Sequence, residues 1–137
     1  MTKLNSKTTY TYAVGRRKSS VATIKLFAGK LESTVNGQKT DAYFPGVNNQ
    51  ITFNKPFSIT DTLGKYYFQA KIIGGGKRGQ LDALILSISR ALKKLDEIAY
   101  KSLLRNAGLL TVDSRVRERR MVGTGGKARR QKQSPKR

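Results

Sequence analysis

AKIIGGGKRGQLDALILSISRALKKL, residues 70–95, decides the fold. An apolar run ending at Ile72-Ile73 meets three glycines, and a helical pattern follows at once. Leu81, Leu84, Ile85, Ile88, Leu92 and Leu95 recur at i, i+3, i+4, i+7, i+11 and i+14, one broad apolar stripe. Asp82 falls in the expected first turn, and Arg90, Lys93 and Lys94 near the end, an order that suits the helix macrodipole. The stretch predicts a strand, a glycine turn and a helix that supplies one side of the core.

The turn raises the functional question. Gly74, Gly76 and Gly79 match G-x-G-x-x-G between a strand and a helix, the setting of a dinucleotide site. The acidic residues about 20 positions on, Asp96 and Glu97, directly follow the helix, with no second strand to carry them to a ribose. Gln80 stands where G-x-x-x-x-G-K-[ST] needs its lysine. What remains is a backbone free to approach something closely, with Lys77 and Arg78 beside a helix N-terminus, which favours phosphate. A nucleic-acid backbone is the preferred occupant, a purely structural turn the alternative, and a nucleotide cofactor the least favoured.

Strands and turns lie upstream. Tyr10 to Val14 alternates, as does Val21 to Ala28, with Ala22, Ile24, Leu26 and Ala28 on one side. Between them, Gly15-Arg16-Arg17-Lys18-Ser19 predicts a basic five-residue turn closing an antiparallel hairpin. For Arg16, Arg17 and Lys18 a solvated tip and a phosphate contact stand level. Leu31 to Val35 predicts a short third strand, ended by the tight-turn pair Asn36-Gly37. Tyr43 and Phe44 read as core rather than base-stacking residues. Residues 47–63 fit neither period, and Pro56 argues against an uninterrupted helix or a central strand. Lys65 to Ile73 is a half-buried strand with Tyr66, Phe68, Ala70 and Ile72 on one face.

After the long helix, a second is predicted from Glu97 to Asn106, with Ile98, Leu103 and Leu104 facing inward and Ala107-Gly108 as C-cap. Leu109 to Val112 adds a strand or pins the chain to the core. Composition then changes. Residues 113–137 carry ten basic residues against Asp113 and Glu118, a net of +8, and no aromatic. Seven of the ten are arginine, the planar fork suited to phosphate. Such a segment cannot bury enough surface to offset its ordering entropy, so it is expected to order only on nucleic acid. Fully extended, it reaches about 80–90 Å.

Composition bounds the whole. A chain of 137 residues allows one domain, divided as a flexible lead over 1–9, a globular body over 10–112 and a basic extended tail over 113–137. Lys plus Arg number 28 against 8 Asp plus Glu, giving +20, so a polyanionic partner is expected. Cysteine and histidine are both absent, which removes thiolate metal sites, disulfides and every Ser-His or Cys-His arrangement. No catalytic residue, metal or cofactor is assigned. No apolar run is long enough to span a membrane, and no secretory signal pattern opens the chain.

The motifs taken together resemble the S-nine family of small-subunit ribosomal proteins over about residues 10–137. They are Gly15-Arg16-Arg17-Lys18-Ser19-Ser20-Val21-Ala22, Val35-Asn36-Gly37, Tyr43-Phe44-Pro45, Gly74-Gly75-Gly76 with Gly79-Gln80 and Ala83, and Arg90-Ala91-Leu92. Leu110-Thr111, Asp113, Arg115, Glu118-Arg119-Arg120, Gly123, Lys127-Ala128-Arg129-Arg130 and Lys136-Arg137 complete the set. The resemblance implies an α/β (α+β) two-layer sandwich of a four-stranded sheet with helices, of the S-five domain-two-like kind. It also implies a helix near 47–62 despite Pro56, and no enzymatic activity.

The resemblance further implies a place in the head of the small ribosomal subunit, bound to the 3′ major domain of its rRNA beside neighbouring head proteins. The rRNA-binding residues would be Arg16, Arg17, Lys18, Lys77, Arg78, Arg115, Arg117, Arg119, Arg120, Lys127, Arg129 and Arg130. Lys136 and Arg137 would contact tRNA in the P site. The ribosome type is bacterial-like, in bacterial cytoplasm or plastid stroma, with the mitochondrial matrix less favoured. Three departures stand out: Ser87-Ile88-Ser89 for a frequent Gly-Ile-Ala, Val112 for a frequent arginine, and Pro135 with no aromatic before the terminal pair. The rivals are an architectural DNA binder and a nucleotide-dependent enzyme.

Overall fold

The computed structural model describes residues 9–123. Strands β1 (Tyr10–Arg17) and β2 (Ser20–Ala28) form an antiparallel hairpin, and β2 pairs antiparallel with β5 (Tyr66–Ile73). Beyond β5 lie two short strands, β3 (Thr34–Val35), parallel to β5, and β4 (Gln38–Lys39). The sheet therefore has five strands in the order β1-β2-β5-β3-β4, one more than the resemblance implies. The addition is small. Asn36 and Gly37, with φ of 51° and 81°, turn the chain so tightly that two residues on each side pair. Leu31, expected in a strand, is exposed in the preceding loop.

Four helices complete the α+β fold: α1 (Thr40–Tyr43), α2 (Val47–Ile59), α3 (Lys77–Leu95) and α4 (Glu97–Asn106). Helix α3 lies against β1, β2 and β5, while α2 and α4 pack on α3. The core sits between, built from Ala22, Ile24, Leu26, Phe68 and Ile72 of the sheet and Leu81, Leu84, Ile88 and Leu92 of α3. Alternation thus puts Tyr10, Tyr12, Val14 and Arg16 of β1 on the other face. Val21, Thr23, Lys25 and Phe27 of β2 join them, as do Tyr67, Gln69, Lys71 and Ile73 of β5.

Helix α2 confirms the helix implied at 47–62, with Pro56 inside it. Its buried residues Phe53 and Phe57 stand one turn apart, while Val47 and Ile51 are exposed, so no clean period shows. Phe57 stacks on Phe68 of the sheet at 6.3 Å between ring centroids, which anchors the turn that Pro56 deprives of a hydrogen bond.

Helix α3 starts earlier than the stripe suggests. Gly76 O accepts from Gln80 N at 2.9 Å, so Gly79 is helical and Asp82 lies in the second turn. The helix is also buried more widely than its stripe. Ala83, Ser87 and Ala91, at i, i+4 and i+8, are all buried. Of these, Ala83 and Ser87 meet Gly15, where any Cβ would run into the Ala83 carbonyl and lie 2.6 Å from Ser87 N. Ser87 and Ser89 satisfy their hydroxyls locally, donating to Leu84 O at 2.7 Å and Ile85 O at 2.8 Å.

Helix α4 corrects an expectation. Its inward residue is Leu104, fully buried, whereas Ile98 is 96% exposed and Leu103 is 46% exposed. The phase is set by both ends. Asp96 Oδ1 accepts from Ala99 N at 3.0 Å as the N-cap. At the other end Gly108, φ 71°, donates to Arg105 O, and Leu109 N reaches back to Leu104 O, as in a Schellman motif. That end matches the expected Ala107-Gly108 cap. Leu109 and Leu110 then pack against the core, so the apolar patch pins the chain rather than adding a strand.

Candidate nucleic-acid interface

The hairpin tip is tighter than expected. Arg16 and Arg17 stay in the ladder opposite Val21 and Ser20, leaving a two-residue turn of Lys18 and Ser19, with Lys18 at φ 53°. The glycines of the 74–79 turn fit against this tip. A Cβ on Gly74 would sit 2.5 Å from Ser19 O, and one on Gly75 would strike Ser20 Oγ. Gly79 would bring a Cβ within 3.1 Å of the same hydroxyl, while Gly76 faces open space. The close approach those glycines permit is therefore met by the hairpin itself. Ser20, fully buried, donates to Gly74 O at 3.2 Å.

This docking brings the start of α3 beside the hairpin tip, and the chain leaving α4 returns to the same place. Arg16, Arg17 and Lys18 from the tip, Arg78 and Asp82 from α3, and Thr111, Asp113 and Arg115 from the returning chain line one groove. Five of the cations picked out in the sequence, from three separate elements, converge there. Arg16, Lys18, Arg78 and Arg115 are exposed.

Arg17 differs. Its side chain is only 14% exposed and holds the returning chain. Nη1 donates to Arg115 O at 2.9 Å and to Asp113 O at 3.4 Å, and Nη2 lies 3.1 Å from Asp113 Oδ2. Its Nε also faces Asp82 at 3.7 Å, and Arg78 reaches Asp82 at 3.8 Å. Asp113 is gripped further by Arg115, through Nη2 at 2.7 Å and through the Arg115 backbone N–H at 3.0 Å. These Arg115 hydrogen bonds, with the nearby positive charges of Arg115 and Arg17, hold the Asp113 carboxyl well below the usual carboxylate range.

Lys77 lies apart from the groove. Its Nζ stands 3.4 Å from the Tyr43 ring centroid and donates to Tyr43 O at 3.3 Å. Tyr43 in turn donates to Gln80 Oε1 at 2.9 Å, and Gln80 donates to Gly74 O at 3.0 Å. Asn36 bonds both the Ile72 N–H, at 2.8 Å, and the Ile72 carbonyl, at 2.9 Å. Asn36-Gly37, Tyr43-Phe44 and the glycine turn are thus one packed unit. Phe44 is buried and Tyr43 packs half-buried on the core, as read from the sequence.

Arg117, Arg119 and Arg120 lie farther along the returning chain, with Glu118 and Met121. Lys127, Arg129, Arg130, Lys136 and Arg137 fall outside the described residues, as does most of the 1–9 lead. Sequence reading missed Asp113 and Asp82 as the partners of Arg17. The spacing Asp113-x-Arg115 was the visible signal of a local fork, but its link to residue 17 was not. Asp96, unsuited to a ribose, proves to be a helix cap.

The family model for ribosomal protein S9/S16 matches residues 15–137, from Gly15 of β1 onward. The chain belongs to the ribosomal protein S9/S16 family. Small ribosomal subunit protein uS9 of Leifsonia xyli subsp. xyli is 43% identical over 91% of this chain and 74% of its own. The protein of the same name from Methylacidiphilum infernorum is 43% identical over 86% of each chain. That from Maridesulfovibrio salexigens is 42% identical over 85% of this chain and 89% of its own. As a member of the S9/S16 family the chain is a structural ribosomal protein of the small subunit, acting in translation and not an enzyme. Among the described residues, no helix is long and apolar enough to cross a membrane.

Proposed function

We propose that the body, residues 10–112, docks on rRNA of the small-subunit head, in its 3′ major domain and beside neighbouring head proteins. In the same reading residues 113–137 run from it as a basic filament whose Lys136 and Arg137 contact P-site tRNA. The coarse part of this follows from the family: a small-subunit ribosomal protein associates with rRNA and with other ribosomal proteins. The finer part is supported by one observation, the groove in which Arg16, Lys18, Arg78 and Arg115 surround the anchored start of the tail. Phosphate oxygens entering it meet cations from three elements that the fold already holds together, so little ordering entropy is lost on contact.

Arg17 contributes by fixing where the filament leaves the body, and Lys77 offers its charge from beside Tyr43. Arg117, Arg119, Arg120, Lys127, Arg129 and Arg130 extend the phosphate contacts along the filament. The relatives' sources suit a bacterial-type ribosome, in bacterial cytoplasm or plastid stroma. The decisive experiment removes Lys136 and Arg137 and reconstitutes the subunit. Assembly is expected to proceed while tRNA leaves the P site faster. Blocked assembly with unchanged tRNA affinity would sink the division of labour.

A further inference from the structure

The sheet carries its helices on one face, and the other face has an unusual make-up for solvent contact. The three long strands contain no Asp or Glu. All eight carboxylates of the chain lie elsewhere, in loops, helices and the segment after α4. The open face instead presents Arg16, Lys25 and Lys71, with both lysines exposed. Its apolar content is mainly aromatic. Phe27 is enclosed between Tyr10 at 5.6 Å and Tyr67 at 5.1 Å, the latter ring nearly parallel at 13°. Tyr10 and Tyr12, each 47% exposed, stand two residues apart on β1, so their rings rise from the sheet about 7 Å from one another. Lys25 Nζ lies 5.1 Å from the Tyr10 ring centroid.

Rings backed by a rigid sheet and flanked by cations bind bases by their flat faces and the intervening phosphates by charge. A duplex offers phosphates but keeps its base faces stacked. A protein partner gains nothing from a face that carries only positive charge unless it brings its own carboxylates. Arg16 joins this face to the groove described above, so the two form one cationic strip around the hairpin tip.

We propose that the open sheet face is a stacking platform for unpaired RNA nucleotides, with Tyr10 and Tyr12 taking bases and Arg16, Lys25 and Lys71 the phosphates between them. The platform shares Arg16 with the groove, while its rings and both lysines lie beyond it, and it does not depend on Lys136 or Arg137.

The chain has no tryptophan, so Tyr12→Trp in the full-length protein gives a single reporter on the face. A ten-nucleotide single-stranded RNA is expected to quench it by about half or more, and to do so in 0.5 M KCl, where phosphate contacts are screened. A blunt-ended RNA duplex with no unpaired nucleotide should leave it nearly unchanged. At the same salt, the double variant Tyr10→Ala/Tyr12→Ala should bind the single strand about tenfold more weakly and the duplex within about twofold of the parent. Absence of quenching, or equal loss for both RNAs, overturns the proposal. So does a double variant with parental RNA affinity that fails to enter subunits reconstituted from purified components, since the face would then dock a protein. Should the alanine pair fail to melt cooperatively, the tryptophan quench and the binding of Lys71→Gln decide the matter.

Discussion

Gly15→Ala tests the close contact on which the whole interface is assembled. The added Cβ would overlap the Ala83 carbonyl and stand 2.6 Å from Ser87 N, and both obstacles are helix backbone. Ordinary contact requires roughly 3.4 Å or more, so β1 and α3 must part by about 1 Å along an interface whose core residues are fully buried. Overpacking of this kind costs typically 1–3 kcal/mol; with backbone on both sides the upper end, about 3 kcal/mol, is expected. For an ordered body of this size that lowers Tm by roughly 12 °C. Thermal unfolding followed by circular dichroism measures it. Trimming a side chain should not help, so Gly15→Ala/Ser87→Ala should remain as unstable as the single variant. Gly37→Ala is the comparison. Its φ is 81° with nothing within 4 Å, so only backbone strain of about 1 kcal/mol applies. A loss below 1 kcal/mol at Gly15, or full recovery in the double variant, would refute the argument.

The anchored start of the tail should respond to acid with a definite sign. Because the folded Asp113 carboxyl is held below its ordinary value, the anchorage is complete above the usual carboxylate range and is lost only as pH falls beneath it. The protection of amides 111–117, measured against their intrinsic exchange at each pH, should therefore fall between about pH 4 and strong acid, and Asp113→Asn should show the lowered protection already at neutral pH. In α4, Leu104→Ala should cost about 2–5 kcal/mol by urea unfolding, whereas Ile98→Ala should stay within about 0.5 kcal/mol, the reverse of a reading that turns Ile98 inward. In the groove, Arg78→Gln and Arg16→Gln should each weaken rRNA binding. Each should also flatten the plot of log affinity against log salt by roughly 0.7–0.9; an unchanged slope would remove that residue from the contact set.

Much of the fold was legible because large apolar residues mark their own period. The stripe on α3 and the alternation in β2 and β5 placed the core correctly up to the last turn of α3, where Leu95, read as part of the stripe, is 40% exposed. Ala83, Ser87 and Ala91 were not seen because close packing uses small residues, which carry no hydrophobic signal. Ile98 and Leu103 misled for the converse reason: in a ten-residue helix, two large residues suggest a face that only the end caps can fix. The 47–59 helix was hidden by Pro56 and by exposed Val47 and Ile51, and only family resemblance revealed it. At the candidate site the cations were legible as types. Their sorting was not, since Asp113, which holds Arg17 at the shorter distance, lies 96 residues away and no local pattern predicts it.

The bond between residues 17 and 113 also bears on the order of folding. The hairpin joins neighbouring strands and the sheet joins residue 21 to residue 73, whereas this closure spans almost everything between the two ends of the body. Attachment of the tail's start therefore needs β1 and the end of α4 both in place, with Leu110 packed three residues before Asp113. Whenever this bond opens, the arginine fork stands unfilled, and Asp113 and an arriving phosphate compete for the same guanidinium.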